Sequence, residues 1–165
     1  MASDRSRTPA AGRLVFPGDS GKSAPSRRKP LPWKWALDRL RRAHTYWIVT
    51  VRPDGRPHAV PIWGVWVDGR FIFGAEATSV KIRNLKADPR CEICLEEKGE
   101  ALTVEGLASE VKSEQTLRRM AGAYKSKYDW SVGSGAGQFY QVEPSRVIGY
   151  IESSYPDRTT RWEFD

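Results

Sequence analysis

Apolar residues are spaced regularly only from about residue 33 onward, and this divides the chain into two parts. Residues 1–32 are rich in Ser, Pro, Gly, Ala and Arg, a composition that buries too little apolar surface to fold. Residues 34–43 show the spacing of an amphipathic helix, and strand-type runs begin at residue 46. We therefore expect a disordered basic extension over residues 1–32 and a single folded domain over residues 33–165.

Short β-branched and aromatic runs, separated by Gly, Pro and Asp turns, dominate the domain. Such runs predict strands, and the Asp68-Gly69 turn predicts a hairpin. The predicted strands cover residues 46–51, 58–67, 70–75, 90–96, 101–111, 139–142, 146–151 and 160–164, and the predicted helices cover residues 34–43, 80–85 and 113–127. The first three strands should pair as an antiparallel meander. The whole pattern predicts a mainly β protein with α-helices, folded as a small barrel.

The positive charge of the chain is concentrated in its N-terminal arm. Residues 1–42 contain 11 of the 27 Lys and Arg residues but only 3 of the 20 acidic residues. The arm therefore carries a net charge of +8, whereas residues 43–165 carry −1. The net charge of residues 43–165 therefore does not indicate a nucleic-acid-binding surface on the domain, although the arm could tether a nucleic acid or a partner protein.

The cysteine and hydropathy patterns bear on metal binding and on location. Cys91 and Cys94 have an odd separation in a predicted strand, so their side chains should point to opposite faces. Because the only histidines are His44 and His58, we expect no metal site. No run of 18 apolar residues and no signal-peptide core occurs, so we expect a protein of the reducing cytoplasm that does not span a membrane.

A phosphate-binding corner is predicted where the helix over residues 80–85 begins. Thr78 or Ser79 can cap this helix, whose first turn presents free backbone N–H groups and the positive end of the helix dipole. Lys81 adds a positive charge to the same turn. The alternative is an ordinary helix cap beside a surface lysine.

The strand over residues 58–67 contains a proline, and this predicts a surface for a flat ring. Pro61 cannot donate a ladder hydrogen bond, so the strand lies at an edge, contains a bulge or faces a ligand. Ile62 and Trp63 could supply apolar contact, while free backbone groups could hydrogen-bond to the edge of the ring. The alternative is a core strand with an edge proline. His58, at the start of this strand, is interpreted as a surface residue.

Five motifs follow one another in this part of the chain. They are YWIVTVRPDGRP (46–57), VPIW (60–63), FG (73–74), SVKIRNL (79–85) and DPR (88–90). The ordered set resembles the flavin/deazaflavin-binding split-barrel family, which includes the pyridoxamine 5′-phosphate oxidase-like proteins and the actinobacterial deazaflavin oxidoreductases. The resemblance covers residues 42–111 and extends more loosely to Thr160-Arg161-Trp162.

The resemblance implies a homodimer of six-stranded antiparallel split β-barrels with crossover helices and with two cofactor sites at the subunit interface. The implied cofactor is the deazaflavin coenzyme F-420 or FMN, and the Lys-x-Arg-Asn-Leu spacing is closer to the F-420 branch. The cofactor phosphate would meet Ser79, Lys81, Arg83 and Asn84, the ring would lie along Val60, Pro61, Ile62, Trp63, Gly74 and Ala75, and Trp162 would reach the site of the other subunit.

The implied activity is that of an oxidoreductase, in which the cofactor passes a hydride to a small electron-poor organic substrate. Val80 stands where the vitamin-oxidising branch has an arginine, so pyridoxamine phosphate oxidation is not expected. Hydride transfer does not require a dedicated acid or base, and we assign no catalytic residue. The alternative is a non-enzymatic protein that binds a flavin, a deazaflavin or haem.

Overall fold

The computed structural model of the chain describes residues 8–14, 29–133 and 137–165. Within these ranges, nine strands, three α-helices and one 3₁₀ helix are present. The strands are β1 (Ala10–Arg13), β2 (Tyr46–Val51), β3 (Pro57–Ile62), β4 (Val65–Val67), β5 (Arg70–Ala75), β6 (Arg90–Glu97), β7 (Glu100–Glu110), β8 (Gln138–Ile151) and β9 (Thr160–Glu163). The helices are α1 (Trp33–Arg42), α2 (Val80–Ala87), α3 (Glu114–Tyr128) and the 3₁₀ turn Glu152–Ser154.

The strands form one antiparallel sheet that curves but does not close. Its main path runs β1-β9-β8-β7-β6-β2-β3, and a branch joins β8 to β5 and β5 to β4. The 14-residue strand β8 therefore pairs with three strands, β5, β7 and β9. This open, mainly antiparallel sheet with flanking helices confirms the expected split-barrel class, with nine strands in the described residues instead of six.

The predicted strand over residues 58–67 is two strands, and the predicted meander is wrong at this point. β3 pairs with β2, whereas β4 pairs with β5, so the chain turns from one part of the sheet to another at Trp63-Gly64. A Cβ atom at Gly64 would lie 2.1 Å from Cζ of Phe71. The turn therefore requires glycine, because the backbone crosses the Phe71 ring too closely for any side chain.

The two strands predicted over residues 139–142 and 146–151 are one continuous strand. β7 pairs with β8 along the whole length of β7, and the register shifts by one residue where Glu105 and Gly106 face Arg146 and Pro144. Ser145 is the extra residue of this bulge, and its hydroxyl donates to the backbone oxygen of Glu105. Pro144 lies between the two predicted strands, and the bulge accommodates it within one strand.

Part of the segment expected to be disordered is a strand. Ala10–Arg13 pair with β9 in antiparallel register, and Leu31 is buried, with its backbone N–H donating to Oγ1 of Thr160. The prediction is therefore wrong for these positions, because strand pairing supplies the hydrogen bonds that the composition of the segment did not suggest. For residues 1–7 and 15–28 the prediction lies outside the described residues.

Tryptophan residues form the centre of the main core. Helix α1 buries Trp33, whose ring contacts those of Trp66 and Trp162 edge to face at centroid distances of 5.9 and 5.6 Å. Trp35 lies parallel to Trp162 at 6.4 Å. A second apolar cluster lies under α3, where Met120 and other side chains pack against β4 and β5. Together these contacts fix α1 and α3 against the sheet.

Candidate functional site

A groove of about 360 Å³ opens where the ends of β3 and β5 meet the start of α2 and the end of α3. Its lining is mostly apolar, with one lysine and one carboxylate. The lining residues are Pro61, Ile62, Trp63, Gly74, Ala75, Glu76, Lys81, Tyr124, Trp130 and Phe139. Six of these residues, Pro61, Ile62, Trp63, Gly74, Ala75 and Lys81, are among those predicted from the sequence. The structure thus brings the predicted ring surface and the predicted lysine to one cavity.

One end of the groove has the chemistry of an anion site. Lys81 lies in the first turn of α2 and forms no ion pair within the described residues. Ser79 is the N-cap of this helix, but its hydroxyl makes no cap hydrogen bond and is buried without a partner. An unpaired hydroxyl, the free N–H groups of a helix start and an unpaired ammonium group together fit a phosphate.

His58, which the sequence interpretation treated as a surface residue, lies within electrostatic range of Lys81 but does not line the groove. Its Nδ1 atom is buried without a hydrogen-bond partner. Burial lowers the pKa of His58, and the positive charges of Arg52 and Lys81 lower it further. Because two cations act on one imidazole, the local potential is positive and would favour a bound anion. The turn at Gly55 was the sequence signal that could have located His58. This turn sets the register of the β2–β3 hairpin, and the register places His58 opposite Thr50, beside α2.

Two residues predicted to contact the phosphate have other roles in the structure. Asn84 is buried, and its side-chain amide donates to Oγ1 of Thr50 at 2.9 Å, which ties α2 to β2. Arg83 is exposed, and its guanidinium donates to the backbone oxygen of Thr78. Asn84 is therefore corrected to a structural residue, because its amide points into the protein, and Arg83 lies outside the groove lining.

Trp162 and Val60 also lie away from the groove. Trp162 is fully buried, with its ring between those of Trp33 and Trp35. A ring enclosed in its own subunit cannot reach a site on another subunit, so the prediction for Trp162 is corrected to a core position. Val60 packs its side chain against the main core, because side chains alternate along β3 and only the strand end faces the groove.

Three side chains of α3 hold the Trp63-Gly64 turn, which forms one wall of the groove. The hydroxyl of Tyr124 donates to the backbone oxygen of Trp63 at 3.1 Å. The ammonium group of Lys127 donates to the backbone oxygen of Gly64 at 2.9 Å and to the Tyr46 hydroxyl at 2.6 Å. The hydroxyl of Tyr128 accepts from the backbone N–H of Gly64 at 3.0 Å. We call these three side chains the α3 clamp. They satisfy the polar backbone groups of the turn and fix its position.

The sequence interpretation missed four lining residues: Glu76, Tyr124, Trp130 and Phe139. Tyr124 has the helical spacing of a core residue, and Phe139 stands in a predicted strand, so neither carried a separate signal. Gly74 explains part of how β5 brings Phe139 of β8 into the groove, because a Cβ atom at Gly74 would lie 3.1 Å from Cε1 of Phe139. The close approach of β5 and β8 is a tertiary feature that a local pattern does not contain.

Neither a membrane span nor a metal cluster is found in the described part of the chain. No helix there is long and apolar enough to cross a bilayer. No group of three or more His, Cys, Asp and Glu side chains is arranged there to hold a metal ion. Cys91 is buried on the core face of β6 and Cys94 is only partly buried, as expected for opposite faces of a strand.

A family model described as pyridoxamine 5′-phosphate oxidase matches residues 34–151. These residues cover more than half of the chain and include the whole groove lining. No curated protein matches the chain.

Several solved structures share the fold at low sequence identity. A conserved hypothetical protein from Mycobacterium tuberculosis is 21% identical, with a TM-score of 0.65 over 74% of this chain and 86% of that one. A heme binding protein from Mycobacterium smegmatis is 17% identical, with a TM-score of 0.63 over 78% of this chain and 57% of that one. A pyridoxamine 5′-phosphate oxidase-related, FMN binding protein from Nostoc punctiforme is 15% identical, with a TM-score of 0.56 over 82% and 97%.

Proposed function

The chain belongs to the pyridoxamine 5′-phosphate oxidase family, and from this membership we propose that the groove binds a flavin-type cofactor, FMN or the deazaflavin coenzyme F-420. The observation that carries the proposal is the anion end of the groove. There, Lys81 lines the groove at the start of α2, next to an apolar surface for a ring, and the unpartnered hydroxyl of Ser79, the N-cap two residues earlier, lies just outside the lining. The cofactor would supply hydride-transfer chemistry to a small electron-poor substrate.

The chain's own residues would bind and orient the cofactor. Lys81, Ser79 and the first N–H groups of α2 would hold the phosphate. Pro61 and Ile62 would contact the ring, and the free edge of β3, which pairs only with β2 in the described residues, offers backbone groups for the polar edge of the ring. No lining side chain is required to donate or accept a proton during hydride transfer, so we again propose no catalytic residue.

The groove supports a flavin better than haem. One similar structure is described as a heme binding protein, and haem proteins hold the iron through His, Cys, Met or Tyr. Among the described residues that line the groove there is no His, Cys or Met, His58 lies outside the lining, and the hydroxyl of Tyr124 donates to the backbone oxygen of Trp63. A non-enzymatic flavin or deazaflavin carrier is the second candidate, since the same anion end would serve storage as well as catalysis.

The first test is a pair of fluorescence titrations with FMN and with coenzyme F-420 at matched salt. We expect Lys81→Ala to weaken cofactor binding about 10- to 100-fold, the effect of losing a charge-assisted hydrogen bond of about 1.5–3 kcal/mol. Lys86, an exposed lysine in the last turn of the same helix, provides the matched control, and Lys86→Ala should bind as the wild type does. Equal binding by wild type and Lys81→Ala would contradict the proposal.

Turnover distinguishes an oxidoreductase from a carrier. Reduced FMN or reduced F-420 is mixed with the protein and an electron-poor quinone, and oxidation of the cofactor is followed by absorbance. An oxidoreductase accelerates oxidation in proportion to protein concentration, whereas a carrier binds the reduced cofactor without acceleration. The same assay is run on Lys81→Ala at cofactor concentrations below the dissociation constant of this variant for the cofactor. Loss of the acceleration there would link turnover to the groove.

We also propose that two copies of the chain pair through the outer face of β2 and β3. Trp47 is 50% exposed there, with Pro61 directly opposite it in the strand register, and Val51 is also exposed. Exposed apolar area of this kind marks an interaction surface. In sedimentation velocity, Trp47→Glu should convert a dimer to a monomer, whereas Tyr155→Glu, at an exposed aromatic residue elsewhere, should not. A wild-type monomer at micromolar concentration would refute this pairing.

A further inference from the structure

The two ends of the groove differ in chemistry, and only one of them is explained by a cofactor phosphate. Lys81 lies at the anion end. The other end is lined by aromatic rings: Trp63 from the β3–β4 turn, Tyr124 from α3, Trp130 from the segment after α3, and Phe139 from β8. Four aromatic residues at one end are more than a flat cofactor ring lying along β3 needs for contact. Of these four rings, those of Trp63 and Trp130 are exposed and can contact a second ligand.

The two tryptophans of this end are exposed and nevertheless held in place. Trp63 is 45% exposed, and one face of its ring stacks on Tyr128 at 4.6 Å with an angle of 5° between the planes. Trp130 is 37% exposed and meets Tyr124 edge to face at 5.7 Å. Rings that are supported from behind lose little conformational entropy when a ligand covers their open faces.

The described lining of the groove keeps one negative charge once the anion end is filled. Glu76 is the carboxylate of the groove lining, and it forms no ion pair in the described part of the chain. Lys81 is the lysine of the lining, and a bound phosphate would neutralise it. An exposed carboxylate in the same groove as open aromatic faces attracts a cation and repels an anion.

We propose that the aromatic end of the groove binds a planar aromatic substrate that is cationic or uncharged, stacked on Trp63 and Trp130, and that Glu76 discriminates against aromatic anions. This inference rests on the proposed cofactor site, which accounts for Lys81, and it names the substrate class of that site. Stacking supplies the affinity, and the carboxylate supplies the selection by charge.

Three naphthalene derivatives that differ only in charge test the proposal. They are 2-naphthylmethylammonium, 2-naphthylmethanol and naphthalene-2-sulfonate, titrated calorimetrically into the full chain with and without saturating FMN. With saturating FMN, we expect the affinities to fall in the order cation, alcohol, sulfonate. The cation should then bind about 3- to 5-fold more tightly than the sulfonate, the scale of one exposed charge pair. Without FMN, the cation should still bind more tightly than the alcohol, and the free ammonium group of Lys81 should raise the affinity of the sulfonate.

Two variants separate stacking from charge selection. Trp130→Ala should weaken all three ligands about 5- to 10-fold, because it removes one aromatic contact. Glu76→Gln should bring the cation and the sulfonate to nearly equal affinity and leave the alcohol unchanged. Tyr155→Ala, which removes an exposed aromatic ring outside the groove, is the control and should bind all three ligands as the wild type does.

The outcomes distinguish this inference from the proposed function. Equal binding by wild type and Trp130→Ala, or tighter binding of the sulfonate than of the cation in the presence of saturating FMN, would overturn the aromatic site even if FMN binds normally. Competition between FMN and all three naphthalenes would also overturn it, because the aromatic end would then belong to the cofactor. Naphthalene binding in the expected order by a chain that does not bind FMN would contradict only the proposed cofactor.

Discussion

Replacing Lys127 by methionine is expected to change how the stability of the protein depends on pH. Lys127 is half-buried in the α3 clamp, and no carboxylate among the described residues pairs with it. Burial lowers the pKa of its ammonium group from an ordinary 10.5 to about 8. Methionine keeps the apolar stem of the side chain and removes the charge.

The expected magnitude follows from the two pKa values. The interval between 10.5 and about 8, at ~1.4 kcal/mol per pH unit, corresponds to about 3 kcal/mol for burying the charge, or about 2 kcal/mol after allowance for solvent screening. Below pH 8 the ammonium group is charged in both states, so the native state bears this cost in full. Between pH 8 and 10.5 the unfolded chain binds more protons than the folded chain, so stability rises with pH.

The backbone of the turn remains satisfied when the ammonium group is removed. The Tyr128 hydroxyl still donates to the backbone oxygen of Gly64 at 2.9 Å, and the Tyr46 hydroxyl still donates to the backbone oxygen of Leu40 at 2.6 Å. Lys127→Met should therefore fold at pH 7. It should be at least as stable there as the wild type, because removing the buried charge offsets the loss of two hydrogen bonds.

The assay is urea unfolding at several pH values from 7 to 10, followed by tryptophan fluorescence. The free energy of unfolding of the wild type, minus that of Lys127→Met, should rise by about 2 kcal/mol over this interval. The series stops at pH 10 because burial also raises the pKa of Tyr46 and of Tyr124, which favours the unfolded state at higher pH. The control is Lys125→Met at an exposed position of the same helix. Parallel pH profiles of wild type and Lys127→Met would refute the reasoning.

Two further substitutions test other parts of the site. Gly64→Ala should lower the free energy of unfolding by about 2–3 kcal/mol, because its Cβ would lie 2.1 Å from the Phe71 ring and overpacking of this kind is costly. The free energy is measured by chemical denaturation, and a value equal to that of the wild type would show that the turn can move. Asn84→Ala should lower the free energy of unfolding by about 1–2 kcal/mol through the loss of the buried hydrogen bond to Thr50. Its FMN affinity, measured by fluorescence titration, should stay within 2-fold of that of the wild type. A 10-fold weaker affinity would show that Asn84 contacts the cofactor.

The fold class and half of the groove could be predicted because their signals are local. A proline in a strand, a Ser/Thr cap and a lysine in the first helical turn are visible in a few consecutive residues. Pro61 and Lys81 were identified in this way, and both line the groove. The family pattern then connected the two segments, which no local rule does.

The remaining part could not be predicted because it depends on tertiary contacts. Trp162 and Phe139 are both aromatic residues in predicted strands, yet one is fully buried beside α1 and the other lines the groove. The α3 clamp joins residues more than 60 positions apart, Tyr124 and Trp63 being 61 apart. Periodicity shows which face of an element is apolar, but it does not show which other element that face meets.

The pairing of β1 with β9 decides how this protein can be shortened. The part of the arm before α1, residues 1–32, is basic and of low complexity, so trimming the chain at residue 32 is an obvious choice for obtaining a minimal domain. That cut would remove Leu31 from the core and leave one side of β9, the strand that carries Trp162, without a hydrogen-bonding neighbour. Uncovered strand edges recruit other chains. The N-terminal arm thus includes a protective cover for the sheet, and the shortened protein is expected to aggregate under conditions in which the full chain stays in solution.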